Sequence, residues 1–122
     1  MRYVRLYAGP DGESHFEDVD VSLEVMDFAP PASPFQASDF VPATRLGFLA
    51  LPSGWQGDWH PTPRRQFFVY LSGGGAVEAS DGEIRHFRVG DVLFVEDTTG
   101  KGHRSWVESD EENTVVVVQA PD

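Results

Sequence analysis

The sequence predicts an all-β protein, a sandwich or a barrel of short strands with little helix. From Arg45 onward, apolar and aromatic runs of five to seven residues alternate with glycine or acidic turns, which is typical of strands. No window keeps a 3.6-residue apolar period long enough for an ordinary helix. Asp81-Gly82 lies between two such runs and favours a two-residue hairpin turn. Many short strands at regular spacing indicate a sandwich or a barrel.

These strands are predicted in the second of two unequal parts of the chain. The runs are "RLGFLAL", "RQFFVYL", "AVEAS", "EIRHFRV", "DVLFVE", "HRSWVE" and "TVVVVQA". The first part, residues 1–44, has short alternating pieces followed by "APPASPFQASDFVP", with four prolines in 14 residues. Prolines at this density exclude a helix or a central strand there. Because Phe35 and Phe40 lie in it, we expect an ordered loop that covers the barrel; a disordered linker is the alternative.

Length and composition limit the functional classes. A chain of 122 residues has the size of one domain with one core, here residues 1–122 with the barrel at 45–120. The net charge of −11 argues against nucleic acid or an anionic membrane as a partner. The absence of cysteine excludes disulfides, thiolate metal sites and cysteine nucleophiles. The N-terminus lacks the apolar stretch of a signal peptide, so we expect a cytoplasmic protein.

One strand carries most of the candidate site residues. In a regular strand alternate side chains share a face, so a strand running from His60 would turn six side chains inward. These are His60, Thr62, Arg64, Gln66, Phe68 and Tyr70. After Gln66 the opposite face is apolar as well, and a strand that is apolar on both faces must be covered on both. The second layer is either the N-terminal segment or a second subunit, and we expect a homodimer.

The stretch "GWQGDWHPTPRRQFFVYLSG", Gly54 to Gly73, resembles the first motif of the cupins, G-x5-H-x-H-x3-4-E-x6-G. Gly54, His60, Thr62, Gln66 and Gly73 fall at its positions without a gap. Thr62 therefore stands where the family has its second histidine, and Gln66 where it has glutamate.

The stretch "GDVLFVEDTTGKGHRSWV" resembles the second cupin motif, G-x5-P-x-G-x2-H-x3-N, more loosely. Gly90, Gly100 and His103 match, whereas Glu96 replaces the proline and Val107 the asparagine. The resemblance spans about residues 45–120. Within the family, the chain is similar to small single-domain bacterial cupins. It implies a jelly-roll barrel, also called a double-stranded β-helix.

The resemblance implies a metal site that is incomplete in this chain. In metal-bearing cupins the histidines and the glutamate of the two motifs bind Fe, Mn, Ni, Cu or Zn. Carried over to this chain, the ligands would be His60, Gln66 and His103. A neutral amide is a weaker donor than a carboxylate and leaves the charge of the ion uncompensated. Glu96, Asp97 or His15 is a possible replacement ligand. We therefore expect either no metal or a weakly held divalent ion.

The resemblance also includes metal-free isomerases and epimerases, in which a pocket histidine transfers protons. His60 and His103 are the candidates here, because imidazole titrates near neutral pH. Arg64, assisted by Arg104, would bind an anion. Trp59, Phe68 and Tyr70 would form an apolar wall.

The expected function is small-molecule binding in the barrel by an enzyme of the isomerase or epimerase, lyase or dioxygenase type. The substrate would be a small organic acid or a ring compound, with His60, Gln66 and His103 at the polar centre. The alternative is a non-catalytic ligand-binding or sensing protein.

Simpler interpretations exist for several of these residues. His103 is equally compatible with a hydrogen-bonded core histidine. His86 is expected to face solvent and His15 to lie in a loop near acidic residues. Glu96 and Asp97 are most simply a solvated turn.

Overall fold

The computed structural model describes all residues from Met1 to Asp122 and contains only strands, turns and loops, which confirms the all-β prediction. The strands are β1 Arg2–Ala8, β2 Ser14–Asp20, β3 Glu24–Met26, β4 Phe35–Ala37, β5 Arg45–Leu51, β6 Gln66–Ser72, β7 Gly74–Ala79, β8 Ile84–Arg88, β9 Val92–Glu96, β10 His103–Val107 and β11 Asn113–Gln119. No helix long and apolar enough to cross a membrane is present.

Two sheets enclose the core. The larger has six strands in the order β2-β1-β9-β6-β11-β5, and the smaller has three in the order β10-β7-β8. Strands β1 and β9 pair in parallel, and the other neighbours are antiparallel. Leu6 and Leu93 of the large sheet share one apolar cluster with Val77 and Phe87 of the small sheet. The core therefore lies between the sheets, as in a jelly roll.

The predicted hairpin around Asp81-Gly82 is present, but its turn is longer than the two residues expected. Strand β7 ends at Ala79 and β8 begins at Ile84, and the amide of Gly82 donates to the carbonyl of Ala79. Strands β7 and β8 pair antiparallel, and Gly82 between them has φ of 98°. A positive φ of this size is readily available only to glycine, which explains the residue choice at this turn.

The first 44 residues divide between the sheet and an exposed excursion. Strands β1 and β2 belong to the six-stranded sheet, but strands β3 and β4 pair only with each other. Every residue from Ser22 to Gln36 is exposed, and Phe28 packs on Phe35 and Phe40 of the same excursion. Contrary to expectation, this segment does not cover its own barrel. Its prolines lack the N–H groups that would let it join the sheet as a regular strand.

Strand β6 begins at Gln66, six residues after His60, and this limits the predicted alternation. Gln66 and Tyr70 are buried on the inner face, as predicted. Residues 61–65 are a loop containing Pro61 and Pro63, so the inward placement expected for Arg64 is wrong and its side chain is exposed.

Candidate functional site

A cavity of about 280 Å³ lies between the two sheets, and ten of its 16 lining residues are hydrophobic. The lining residues are Leu49, Leu51, Trp55, His60, Gln66, Phe68, Tyr70, Gly75, Ala76, Val77, Leu93, His103, Ser105, Trp106, Asn113 and Val115. None of them is arginine, lysine, aspartate or glutamate. His60 and His103 are thus the only imidazoles in the cavity wall.

Backbone pairing brings the two motif histidines together. The amide of each donates to the carbonyl of the other, over 2.9 Å from His60 and 3.0 Å from His103, and the ring centroids are 4.9 Å apart. Gly102 makes this approach possible, because a Cβ there would lie 2.1 Å from the carbonyl carbon of His60. The glycine before His103 therefore has a direct role in assembling the site.

Asp97 fixes the orientation of His103. Its Oδ2 lies 2.5 Å from Nδ1 of His103, and the aspartate side chain is fully buried. A carboxylate accepts hydrogen bonds, so the imidazole proton sits on Nδ1, and Nε2 has no partner within the protein. The interpretation of Asp97 as part of a solvated turn is wrong. Its backbone carbonyl accepts a bond from the amide of Thr62, which ties the residue beneath the loop that carries His60.

In His60, as in His103, Nδ1 is bonded to a protein acceptor and Nε2 has no partner in the protein. Its Nδ1 lies 2.7 Å from the carbonyl oxygen of Asp58, which only accepts, so Nδ1 carries the proton. Unlike His103, this ring is exposed. Both imidazoles thus use Nδ1 for positioning and leave Nε2 free for chemistry.

Gln66 is held by the protein at both ends of its amide. Its Nε2 donates to Thr62 Oγ1 at 3.3 Å, and its Oε1 accepts from Gln119 Nε2 at 3.1 Å. Thr62 in turn donates to the carbonyl of Arg64 at 2.7 Å. The two residues at the altered motif positions therefore form a bridge between β6, β11 and the preceding loop.

This donor set does not fit a tightly held divalent metal. No group of three histidine, aspartate, glutamate or cysteine side chains converges anywhere in the chain. Two imidazole nitrogens remain, since the oxygen of Gln66 already accepts a bond and Asp97 Oδ2 faces the far nitrogen of His103. Asp97 Oδ1 has no partner either, but it does not converge with the two imidazoles. A first-row ion generally needs three or more good donors from a protein.

The proposed replacement ligands Glu96 and His15 have other partners. Glu96 receives bonds from Arg5 at 2.5 Å and Arg65 at 2.8 Å, joining β1, β9 and the loop before β6. Burial alone would raise the pKa of Glu96, but the two guanidinium groups outweigh it and lower the pKa. His15, which lies in β2, contacts Asp81 at 2.9 Å and Asp11 at 3.4 Å.

Five of the predicted site residues line the cavity and three do not. The five in the cavity wall are His60, Gln66, Phe68, Tyr70 and His103. Burial raises the pKa of the Tyr70 hydroxyl, which therefore stays protonated near neutral pH.

Trp59, Arg64 and Arg104 lie outside the cavity, so the anion site expected from the two arginines is not assembled there. Arg104 bonds Glu78 at 2.7 Å, with its guanidinium 5.1 Å from the Trp59 ring and 5.9 Å from the Trp106 ring.

Sequence reasoning missed several wall residues. Trp55 follows the matched Gly54 of the first motif, and Trp106 lies within the second motif, three residues after His103. Leu49 and Leu51 alternate along β5 as an inner face should. Asn113 gave no signal, because it follows the acidic stretch "ESDEE" and reads as part of that turn. His86 is exposed as expected and lies 2.7 Å from Glu108.

Comparison with known proteins identifies the architecture. No family model matches the chain, and no curated protein does. Among solved structures, a cupin 2 conserved barrel domain protein from Salinispora arenicola is 18% identical, with a TM-score of 0.51 over 83% of this chain and 76% of that one.

Two further structures agree. A double-stranded β-helix protein from Klebsiella pneumoniae is 21% identical, with a TM-score of 0.51 over 62% of this chain and 65% of that one. The cupin domain of Schizosaccharomyces pombe Cnp3 is 12% identical, with a TM-score of 0.52 over 100% of this chain and 83% of that one. The chain therefore has the cupin fold, as its two glycine-framed motifs predicted.

Proposed function

We propose that this chain binds a small, mainly apolar ring compound in its cavity and transfers a proton on it through His103. The observation that carries the proposal is the buried pair of Asp97 and His103, 2.5 Å apart, in which His103 lines the cavity and bonds Asp97 through Nδ1. Buried carboxylate–imidazole pairs of this kind hold a general base in one tautomer and orientation.

The cavity wall favours a neutral ring over an organic acid. A carboxylate placed among these side chains would meet no arginine or lysine and would lose its hydration. Trp55, Phe68, Tyr70 and Trp106 offer flat apolar surfaces for a ring. An apolar cavity of about 150 Å³ already admits benzene, so about 280 Å³ accommodates a ring with substituents.

The chemistry requires only proton movement. His103 Nε2 takes a proton from a carbon next to a carbonyl, while Asp97 stabilises the imidazolium through Nδ1. The proton returns to a neighbouring carbon in an isomerisation, or leaves with a departing group in an elimination. Among the other wall residues, His60 has a free Nε2 and Tyr70 keeps its hydroxyl proton, so both are placed to hydrogen-bond a bound carbonyl compound.

We do not propose the dioxygenase type that the resemblance also implied. Oxygen activation in proteins commonly uses a redox-active metal, and the donor set around His60 and His103 does not fit a tightly held ion. Isomerase and lyase chemistry by acid and base needs neither.

The experiment combines a binding screen with solvent exchange. A panel of cyclic ketones and phenols, each paired with the carboxylic acid of the same ring, is screened by thermal shift; a ligand that binds only the native state raises the melting temperature. Compounds that bind are then incubated with the protein in D₂O, and deuterium at carbon is followed by NMR. We expect neutral rings to bind better than their acids, and exchange to require His103.

Variants separate the roles of the two residues of the pair. His103→Ala should abolish exchange, and Asp97→Asn should slow it by roughly a hundredfold or more because the imidazole loses its fixed tautomer. His86→Ala is the matched control, since His86 is exposed and bonded to Glu108 outside the cavity. Exchange that survives in His103→Ala, or acids that bind better than neutral rings, would overturn the proposal.

A second candidate is a non-catalytic ligand-binding or sensing protein. It is favoured by the way Thr62, Gln66 and Gln119 bond one another, which makes part of the polar centre structural. Tight binding of a neutral ring without deuterium uptake at any carbon would select this candidate.

A further inference from the structure

The six-stranded sheet is apolar on its outer face as well as its inner one. Strand pairing aligns two outward rows across it, and these rows define the outer face: Leu46, Val118, Phe67 and Phe94 in one, and Phe48, Val116, Val69 and Val92 in the other. Residues between them, such as Leu93 and Val117, point into the core. A sheet that is apolar on both faces is stable in water only when both are covered.

A second unpartnered apolar surface lies on the excursion between β2 and β5. Residues 22–44, here called the arm, contain the β3–β4 hairpin and the cluster of Phe28, Phe35 and Phe40. Ring centroids in this cluster are 5.6 and 5.8 Å apart, yet Phe40 is 76% exposed. A two-stranded hairpin by itself is at best marginally stable in water, so an arm of this composition needs a surface to pack on.

The exposed area is that of a stable interface. The exposed fractions of Phe28, Phe35, Phe40 and Phe48 add up to about two and a half phenylalanine side chains. At about 200 Å² for each side chain, this is roughly 500 Å² of exposed apolar surface. Exposed aliphatic side chains of the same two surfaces add a comparable area; they are Leu23, Val25, Met26, Val41 and Leu46. The largest apolar patch of an ordinary monomer is about 300–600 Å², whereas a standard interface buries about 800 Å² on each partner.

The arm is acidic, and two arginines of the six-stranded sheet region have no ion-pair partner. The arm carries Glu24, Asp27 and Asp39, and no lysine or arginine occurs between residues 6 and 44. Arg45 in β5 and Arg64 just before β6 belong to the six-stranded sheet region, and neither has an ion-pair partner in its own chain. Because Arg45 alternates with the outward-facing Leu46 and Phe48, it flanks the outer face at the edge strand β5 and is not part of that face. Its charge is opposite to that of the arm.

We propose that two copies of this chain form a dimer by reciprocal exchange, the arm of each lying on the outer face of the other. A twofold arrangement of this kind buries both surfaces of both copies at once, which no single copy achieves alone. The inference is independent of the chemistry in the cavity. Strand β5 links the two regions, since Phe48 faces outward while Leu49 and Leu51 line the cavity.

The test compares one arm variant, one outer-face variant and their mixture by sedimentation equilibrium. The wild-type chain should be a dimer. Phe40→Asp in the arm and Phe48→Asp on the outer face should each raise the dimer dissociation constant by roughly a hundredfold or more. Val89→Asp is the matched control, because Val89 is as exposed but follows β8 of the small sheet. Circular dichroism checks that each variant remains folded.

Mixing the two defective variants distinguishes arm exchange from other dimers. A heterodimer of Phe40→Asp with Phe48→Asp retains one intact arm on one intact outer face, so mixing should restore association in part. A monomeric wild-type chain would overturn the proposal. So would a Phe40→Asp protein that dimerises like the wild type, because the outer faces would then pack on each other without the arm.

Discussion

The inner and outer faces of the six-stranded sheet are built from the same strands and are similarly apolar, yet they differ in what covers them. The inner face packs against the small sheet and encloses the cavity, with Leu93 and Val95 fully buried. On the outer face Phe48 is 73% exposed, and Leu71, which alternates with Phe67 and Val69 on the same side of β6, is 49% exposed. Apolar alternation thus predicts that a surface will be covered, but the covering group is a matter of tertiary and quaternary structure.

The largest expected effect separates the two faces by truncation. Leu93→Ala removes a fully buried side chain of the inner face and should lower the free energy of unfolding by about 2–5 kcal/mol. Leu71→Ala removes a half-exposed side chain of the neighbouring strand and should cost less than about 1 kcal/mol in dilute solution. Urea unfolding measures both. Equal losses for the two variants in dilute solution would contradict the distinction between the faces.

The next effect concerns the polar part of the inner region. Asp97→Ala leaves the buried Nδ1–H of His103 without an acceptor and should destabilise the fold by about 1–3 kcal/mol. Glu108→Ala removes the carboxylate beside exposed His86 and serves as the control, with little change expected. Urea unfolding again measures both, and a stability unchanged by Asp97→Ala would mean that the buried pair does not position His103.

A smaller, pH-dependent effect is expected beside the outer face. The guanidinium groups of Arg5 and Arg65 outweigh burial and lower the pKa of Glu96 in the folded chain. This interaction stabilises the fold by about 1 kcal/mol after allowance for partial exposure. The stabilisation is fully present at pH values above the pKa of glutamate in the unfolded chain, about 4.3. It is lost as the pH falls through the folded pKa. Glu96→Gln should therefore be less stable than the wild type at pH 7, and the two should converge in acid.

Unfolding curves of the wild type and Glu96→Gln between neutral and acidic pH provide the measurement. A difference between them that stayed constant down to the lowest pH would contradict the assignment of the lowered pKa to Glu96.

The smallest expected effect is that of chelation. Because His60 and His103 supply only two free imidazole nitrogens, EDTA should leave the melting temperature of tag-free protein unchanged. Elemental analysis of the same protein should find well below one equivalent of transition metal. A melting temperature that falls with EDTA and recovers with added metal would show a resident ion that this donor set does not fit.

The fold followed from the sequence because glycine turns and short apolar runs are local signals. Alternation placed Gln66, Phe68 and Tyr70 correctly, since all three lie within a regular strand. It failed for Arg64, because Pro61 and Pro63 keep the preceding residues out of the sheet.

The site needed tertiary information. Nothing local distinguishes Asp97 from a solvated turn residue; its burial arises because the His60 loop folds over it and His103 returns six residues later. Gln66 occupied a ligand position of the motif, but its partner Gln119 lies 53 residues away. The arm was expected to cover the barrel of its own chain, and it does not. Its apolar residues indicate that it packs on something, but a sequence does not show which copy of the chain supplies that surface.

The most direct test of the central claim, that His103 is a metal-free base positioned by Asp97, is the tautomeric state of its imidazole. Long-range ¹⁵N–¹H spectra recorded at about pH 8.5, well above the ordinary pKa of imidazole, report which ring nitrogen carries the proton. The chain has only four histidines, so single variants assign their signals. We expect His103 to carry its proton on Nδ1, with Nε2 unprotonated and unaffected by EDTA, and we expect Asp97→Ala to remove this preference. A proton on Nε2, or an Nε2 signal that shifts when EDTA is added, would contradict the claim.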